Sequence, residues 1–291
     1  MLRPFEVHEP STVADASRLL EHHGEDAAVY AGGTELIPVM RDGLAHYRHL
    51  VNLKTVPALD RITGEGDMVR VGALATHRAI ERSPVVGARA PVLAQVAAGV
   101  ANLRVRNVGT LGGNLCFAEP HSDPAVLLIA QNASIVLARD GGERRVNAEA
   151  FFEGILRTVR RPDEILVWVD VPALPPHSGA AYARFALHER PTAGVAVAVT
   201  LNGGAVTSAR IAVGSVGPMP ARVPEAEAAL VGRDPDARAL REAAALAGQA
   251  VEVLDDLYGS EDYKRHIVTV LAAKALDQAV ARATRPTGPE H

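Results

Sequence analysis

Gly109-Thr110-Leu111-Gly112-Gly113-Asn114-Leu115-Cys116-Phe117-Ala118-Glu119-Pro120-His121-Ser122-Asp123-Pro124-Ala125 decides how the chain is read. The stretch opens on a glycine-rich loop and closes on Asp123-Pro124, a cap and first-turn pair for an apolar helix running through Ala130. Paired glycines let consecutive backbone N–H groups converge with no Cβ between them, and Thr110 and Asn114 add side-chain donors. That is how a pyrophosphate is held without lysine. A second loop of the same kind, Ala31-Gly32-Gly33-Thr34-Glu35, directly follows the run Ala27-Ala28-Val29-Tyr30, read as a buried strand. Either loop alone is commonly just a turn. Neither is a Rossmann G-x-G-x-x-G after a first strand, and no Gly-Lys-Ser/Thr of a Walker loop occurs.

Working outward, 291 residues suggest two domains at ~150 residues each. Hydrophobic residues make up 48% and charged residues 22%, enough for a sizeable core and too apolar for disorder. The net charge of −4 excludes a general nucleic-acid or anionic-membrane binder, which needs a cationic surplus. Cys116 is the only cysteine, so this chain forms no internal disulfide and cannot alone ligate an iron–sulfur cluster. The first residues carry no apolar h-region and no run reaches the ~18 apolar residues of a membrane span, so a cytoplasmic protein is expected.

Strand, helix and strand alternate over residues 1–55: a short edge strand Phe5 to Glu9, a helix capped by Ser11 or Thr12 and ended by Gly24, the run from Ala27, a helix carrying Pro38 in its first turn, and His49 to Leu53. Met68 to Gly72, Ser134 to Ala138 and Glu164 to Val171 read as strands of a second α/β block, and Pro91 to Ala101 as a helix. Pro172, Pro175 and Pro176 close that block near residue 175. Beyond it Asn202-Gly203-Gly204 joins two long strands, Gly194 to Leu201 and Val206 to Val213, and the remainder is helical to about residue 285. Residues 286–291 read as a frayed tail.

Both loops together, with Asn102-Leu103-Arg104-Val105-Arg106-Asn107, Pro162-Asp163-Glu164-Ile165-Leu166 and Gly259-Ser260-Glu261-Asp262-Tyr263-Lys264-Arg265-His266 in the same order, resemble the FAD-binding medium subunits of the molybdenum hydroxylases. That family includes the flavin components of aerobic carbon monoxide dehydrogenase and xanthine dehydrogenase. The resemblance implies an α+β protein: a two-lobed vanillyl-alcohol-oxidase/PCMH-type FAD-binding domain over 1–175 (lobes 1–55 and 56–175), then a C-terminal antiparallel sheet with helices over 176–285. It implies that Val29, Tyr30, Ala31, Gly32, Gly33, Thr34, Glu35 and Leu36, with Thr110, Leu111, Gly112, Gly113 and Asn114, cradle the FAD phosphates. Leu115, Cys116, Phe117 and Ala118 would line the flavin, Asp123 would hydrogen-bond its polar part, and Leu166 and Val100 match positions at the cofactor. Where relatives carry lysine, arginine and aspartate, this sequence has Arg184, Leu187 and Pro191. Arg184 keeps a charge suited to reduced flavin; the other two do not replace what is missing.

The implied function is an oxidoreductase subunit that passes electrons from iron–sulfur clusters through FAD to an acceptor. Its implied partners are a molybdenum-cofactor large subunit and a 2Fe-2S small subunit, in a heterotrimer that can dimerise. A self-contained flavin-dependent oxidoreductase of the same fold and a scaffold that has lost its cofactor are the rival readings. A lone thiol such as Cys116 usually acts as a small hydrophobe. His121 serves either the flavin or its own loop, and Asp123 both caps a helix and meets a ligand hydroxyl. The 11 histidines show no set with carboxylates at metal-ligand spacing.

Overall fold

The computed structural model describes residues 2–285; the tail expected to fray lies outside them. In the N-terminal lobe, β1 (Glu6–His8) and β2 (Ala27–Tyr30) flank β3 (His49–Asn52) in a parallel sheet, with Glu6 and Ala27 both in register with His49. Helix α1 (Val13–His23) crosses between them. Thr12 caps it through the N–H of Asp15, and Gly24 ends it at φ +53°. β2, expected to be buried, is half-buried, because its loop side opens onto a cavity. It leads through the first glycine loop into α2 (Leu36–Arg41).

The second lobe is an antiparallel five-stranded sheet ordered β4 (Ile62–Glu65), β5 (Met68–Gly72), β10 (Ile165–Pro172), β6 (Ser134–Arg139), β7 (Gly142–Asn147). A two-stranded ribbon, β8 (Phe152–Gly154) and β9 (Arg157–Thr158), precedes β10. Short helices α3 (His77–Arg82), α4 (Pro84–Arg89), α5 (Pro91–Gly99) and α6 (Leu103–Val108) lead to α7 (Leu111–Phe117) and α8 (Asp123–Ala130). The segment read as a glycine loop is therefore largely the first turn of α7. Thr110 caps it by accepting from the Gly113 N–H, and Leu111 and Leu115, four residues apart, anchor it in the core. Asp123 is not the cap of α8: it is the first helical residue, behind Ser122, and its carboxylate is spent elsewhere.

In the C-terminal domain β11 (Ser178–Phe185), β12 (Ala193–Asn202), β13 (Ala205–Gly214) and β14 (Ala221–Arg222) form an antiparallel sheet. Its long strands are buried on both faces instead of alternating with solvent. Ala180, Ala196 and Ala212 join the core built around α8, whose eight residues are all buried. Ala181, Val195, Val197 and Ile211 pack under α10 (Ala237–Ala250) and α11 (Glu261–Ala283), with α9 (Pro224–Ala228) at the sheet's end. Among the described residues no helix is long and apolar enough to cross a membrane.

One ion cluster pins the five-stranded sheet across three strands. Asp170 on β10 is 1% exposed; Arg70 from β5 grips it through Nε at 2.7 Å and Nη2 at 3.0 Å, and Arg145 from β7 also donates to it. Burial alone would raise the carboxyl's pKa, but the two guanidiniums prevail and hold it below the usual value. A lowered folded-state pKa stabilises above the unfolded value, and that contribution is lost as pH falls through the folded one. Asp170→Asn should cost about 3 kcal/mol at pH 7, read as a lower urea midpoint, and the gap to the parent should close below pH ~4. Equal midpoints at pH 7 would show that the cluster contributes nothing.

Candidate cofactor site

A cavity of about 310 Å³ lies between the two lobes, within the range of small-molecule sites. Its walls come from the end of β2 and its loop, the end of β5, the first turns of α3 and α7, and the start of β10. A second cavity of about 270 Å³ shares seven lining residues with it, including Thr34, Glu35, Asn114 and Phe117, and extends toward Asp123, Arg190 and Pro191.

Two close backbone contacts make the junction. A Cβ on Gly32 would fall 2.2 Å from the Val108 carbonyl oxygen and 2.9 Å from Gly109 Cα, and one on Gly112 would fall 2.7 Å from Ala73 Cβ. Gly32 lets the first loop touch the second lobe, and Gly112 lets α7 pack against the end of β5 within that lobe. Gly33 differs: its φ is +72°, and a Cβ there would meet the Tyr30 ring at 2.8 Å. Gly113 is helical, without a positive φ, and its added Cβ would meet only Thr110 Oγ1, at 2.9 Å.

The two glycine segments offer different donors. Among the described residues the N–H groups of Gly33, Thr34, Glu35 and Leu36 find no protein acceptor. In α7 the first turn is already satisfied: Leu111 donates to Ala75 O at 3.0 Å, Gly112 to Ala73 O at 2.8 Å and Gly113 to Thr110 Oγ1 at 3.1 Å. What α7 has left is side-chain capacity. Thr110 keeps its hydroxyl proton, and Asn114, whose Oδ1 accepts from Ser122 Oγ at 2.7 Å, keeps its Nδ2 donors. His77, 2% exposed, lines the same wall with Nδ1 unpartnered, and burial followed by the Arg106 charge lowers its pKa to about 4. It is a neutral imidazole at pH 7.

Toward the second cavity, the Asp123 carboxylate is held by the Tyr182 hydroxyl and by Arg184 Nη1 at 2.6 Å. Burial raises the pKa of Asp123, against the pull of both partners, and drives the Tyr182 phenol well above its usual value. A chain of polar and charged side chains runs from α11 to the first loop. Lys264, wholly buried, gives Nζ to Asp256 at 2.6 Å and to Leu254 O at 2.9 Å. His121 stands 3.8 Å from Asp256 and binds Glu119 at 2.7 Å, and Arg190 spans Glu119 at 2.8 Å and Glu35 at 3.5 Å. Burial raises Glu35, whereas Glu119, despite burial, is held low by His121 and Arg190.

Of the residues expected at the site, Val29, Ala31, Gly32, Gly33, Thr34, Glu35, Leu36, Val100, Thr110, Gly112, Gly113, Asn114, Cys116, Phe117 and Leu166 line the first cavity, and Asp123 the second. Five line neither. Tyr30 stands behind Gly33, with Lys54 Nζ over its ring at 4.2 Å. Leu111 and Leu115 point into the core, and Ala118 is the left-handed C-cap of α7 at φ +51°. Arg184 lies under Gly99, engaged with Asp123. Leu187 is 70% exposed, while Pro191 enters the second cavity beside Arg190. The Cys116 thiol has its pKa raised by burial, the opposite of a reactive cysteine. His77, Ala73, Arg160 and Glu164 were not anticipated. For His77 a signal existed, since it directly follows the helix cap Thr76.

Comparison with known proteins agrees with this geometry. The family described as FAD binding domain in molybdopterin dehydrogenase matches residues 3–174, and the CO dehydrogenase flavoprotein C-terminal domain matches residues 182–279. The carbon monoxide dehydrogenase medium chain of Hydrogenophaga pseudoflava is 36% identical over 280 residues, covering 96% of this chain and 98% of that one. The nicotine 6-hydroxylase medium subunit of Paenarthrobacter nicotinovorans is 32% identical, covering 94% and 96%. Among solved structures, carbon monoxide dehydrogenase from Hydrogenophaga pseudoflava superposes with a TM-score of 0.94 at 37% identity over 97% of this chain and 99% of that one. Quinoline 2-oxidoreductase from Pseudomonas putida 86 superposes with a TM-score of 0.92 at 28% identity, over 98% and 100%. With both halves of the chain matched in order, and two glycine segments closing on one cavity between the lobes, the chain belongs to the family of FAD-binding medium subunits of the molybdenum hydroxylases.

Proposed function

We propose that this chain is the electron-transfer flavoprotein of a cytoplasmic three-component enzyme, docked to a molybdenum-cofactor large subunit and a 2Fe-2S small subunit. Residues 1–175 form its cofactor-binding part and 176–285 the domain that closes the second cavity. FAD supplies two-electron redox chemistry between single-electron iron–sulfur donors and an acceptor. The observation that carries the reading is the run of four unpaired N–H groups from Gly33 to Leu36, facing a turn that has Thr110 and Asn114 to give.

The residues fit a diphosphate. Open backbone N–H groups at Gly33 to Leu36 would receive its oxygens without any lysine, and the neutral His77 Nδ1 offers one further polar atom on that wall. Glu35, its pKa raised by burial, is kept from repelling the anion by Arg190 nearby. Apolar Ala28, Val29, Leu166 and Ile165 suit the wall against a flat ring system. Asp123, pinned by Tyr182 and Arg184, would present a fixed carboxylate to hydroxyl or ring N–H groups at the second cavity. Arg184 and Arg190 place two cations on that side, so the basic character absent at Leu187 is supplied from the neighbouring Arg190.

Two measurements test this. Heat denaturation of the purified chain supplied with FAD should release FAD and not FMN. The chain alone should turn over no aldehyde, purine or carbon monoxide, activity appearing only with both partner subunits. FMN, or sustained turnover by the single chain, would overturn the reading. Gly33→Val, which forces a branched residue into positive φ against the Tyr30 ring, should lower FAD affinity about tenfold or more. Cys116→Ser should retain the cofactor; the reverse pattern would mean that the first loop is not the phosphate cradle.

A further inference from the structure

Three histidines distant in sequence converge on one face of the N-terminal sheet, away from the cofactor cavities. His8 on β1 and His49 on β3 share that face because Glu6 is in parallel register with His49 and His8 lies two residues further on. His23, in the last turn of α1, packs down on both: its ring stacks on His49 at 3.7 Å between centroids and lies 5.0 Å from His8. One ring nitrogen from each of the three lies within 4.8 Å of the others, and His8 Nε2 is 3.0 Å from His49 Nδ1. All three are partly buried.

We propose that His8, His23 and His49 form a binding site for a late first-row divalent metal ion, zinc above all. Imidazoles brought this close share a proton at best, and the His8–His49 contact needs one nitrogen with a free lone pair. Tetrahedral zinc with Zn–N bonds of about 2.0–2.1 Å sets its ligand nitrogens roughly 3.3 Å apart, a separation close to the present one, and the stacked His23 and His49 rings would tilt apart to aim their in-plane lone pairs at one ion. Burial, then the neighbouring His49, His22 and His8, lowers the His23 pKa. The cation would sit at the C-terminal, negative end of α1, with the Glu6 carboxylate, 3.7 Å from His49 Nδ1, at hand as an oxygen donor. Three imidazoles with an oxygen or water as fourth ligand suit zinc, copper or nickel and not magnesium or calcium. The ion would tie β1 and α1 to β3, the strand that supports the first glycine loop's β2.

The test uses the full chain, stripped with a chelator and titrated with zinc chloride by calorimetry, with zinc counted after gel filtration. One zinc per chain is expected, with a rise in melting temperature. Cobalt(II) should show intense visible bands of four-coordinate geometry. His23→Ala and, separately, His8→Gln should weaken zinc binding by at least ~10-fold while leaving circular dichroism and FAD retention unchanged. No zinc retained by the parent, or affinity unaltered in both folded variants, would overturn the proposal.

Discussion

Gly32 and Gly112 permit the contact on which the rest of the site depends. A Cβ on Gly32 would push the first loop, and with it the N-terminal lobe, from the Val108 carbonyl, and one on Gly112 would push α7 from the end of β5 inside the second lobe. Closed as they are, the lobes leave a cavity whose backbone donors are sorted. Satisfied N–H groups lie in α7, and open ones in the loop from Gly33 to Leu36. Glycine thus has two jobs here that look alike in sequence. Gly32 and Gly112 give close packing, while Gly33 gives a left-handed turn that leaves donors exposed.

The electrostatics follow from burial. A cavity lined with few cations has to bind an anion through dipoles, which act strongly in a water-poor setting and need no counter-charge. On the first cavity's wall Glu164 is paired with Arg144 and Arg160 donates to the Glu164 carbonyl, and at the second end Asp123 is engaged with Tyr182 and Arg184, and Glu119 with His121 and Arg190. The chain continuing through Asp256 to the buried Lys264 ties the C-terminal domain to the loop that carries Glu35. Placement of α11 therefore bears on the cofactor end of the molecule.

Much of this was legible in the sequence, and for physical reasons. One glycine pair is commonly just a turn, but two, each near Thr and one beside Asn, with the flanking motifs in order, are legible as one site. The Asn202-Gly203-Gly204 turn between β12 and β13 was equally plain. Strand β11 is hard to read in the sequence because Ser178–Phe185 is rich in alanine and glycine. Its small residues are there because Gly179 passes under the α11 backbone, where a Cβ would lie 2.0 Å from Ala279 O. Asp123 reads as a helix cap in the sequence because its partners, Tyr182 and Arg184, stand about 60 residues away on that strand. His8, His23 and His49 share no local spacing at all; the register of β1 on β3 and the packing of the last turn of α1 bring them together.

The central claim is that the open amides of the first loop, and not those of α7, receive the cofactor's phosphates. Hydrogen–deuterium exchange of the chain with and without FAD tests it directly. The account predicts strong new protection of the peptide spanning Gly33 to Leu36, with exchange at Leu111 to Asn114 already slow and little changed. Protection that rises at Leu111 to Asn114 while Gly33 to Leu36 stays as before would contradict it.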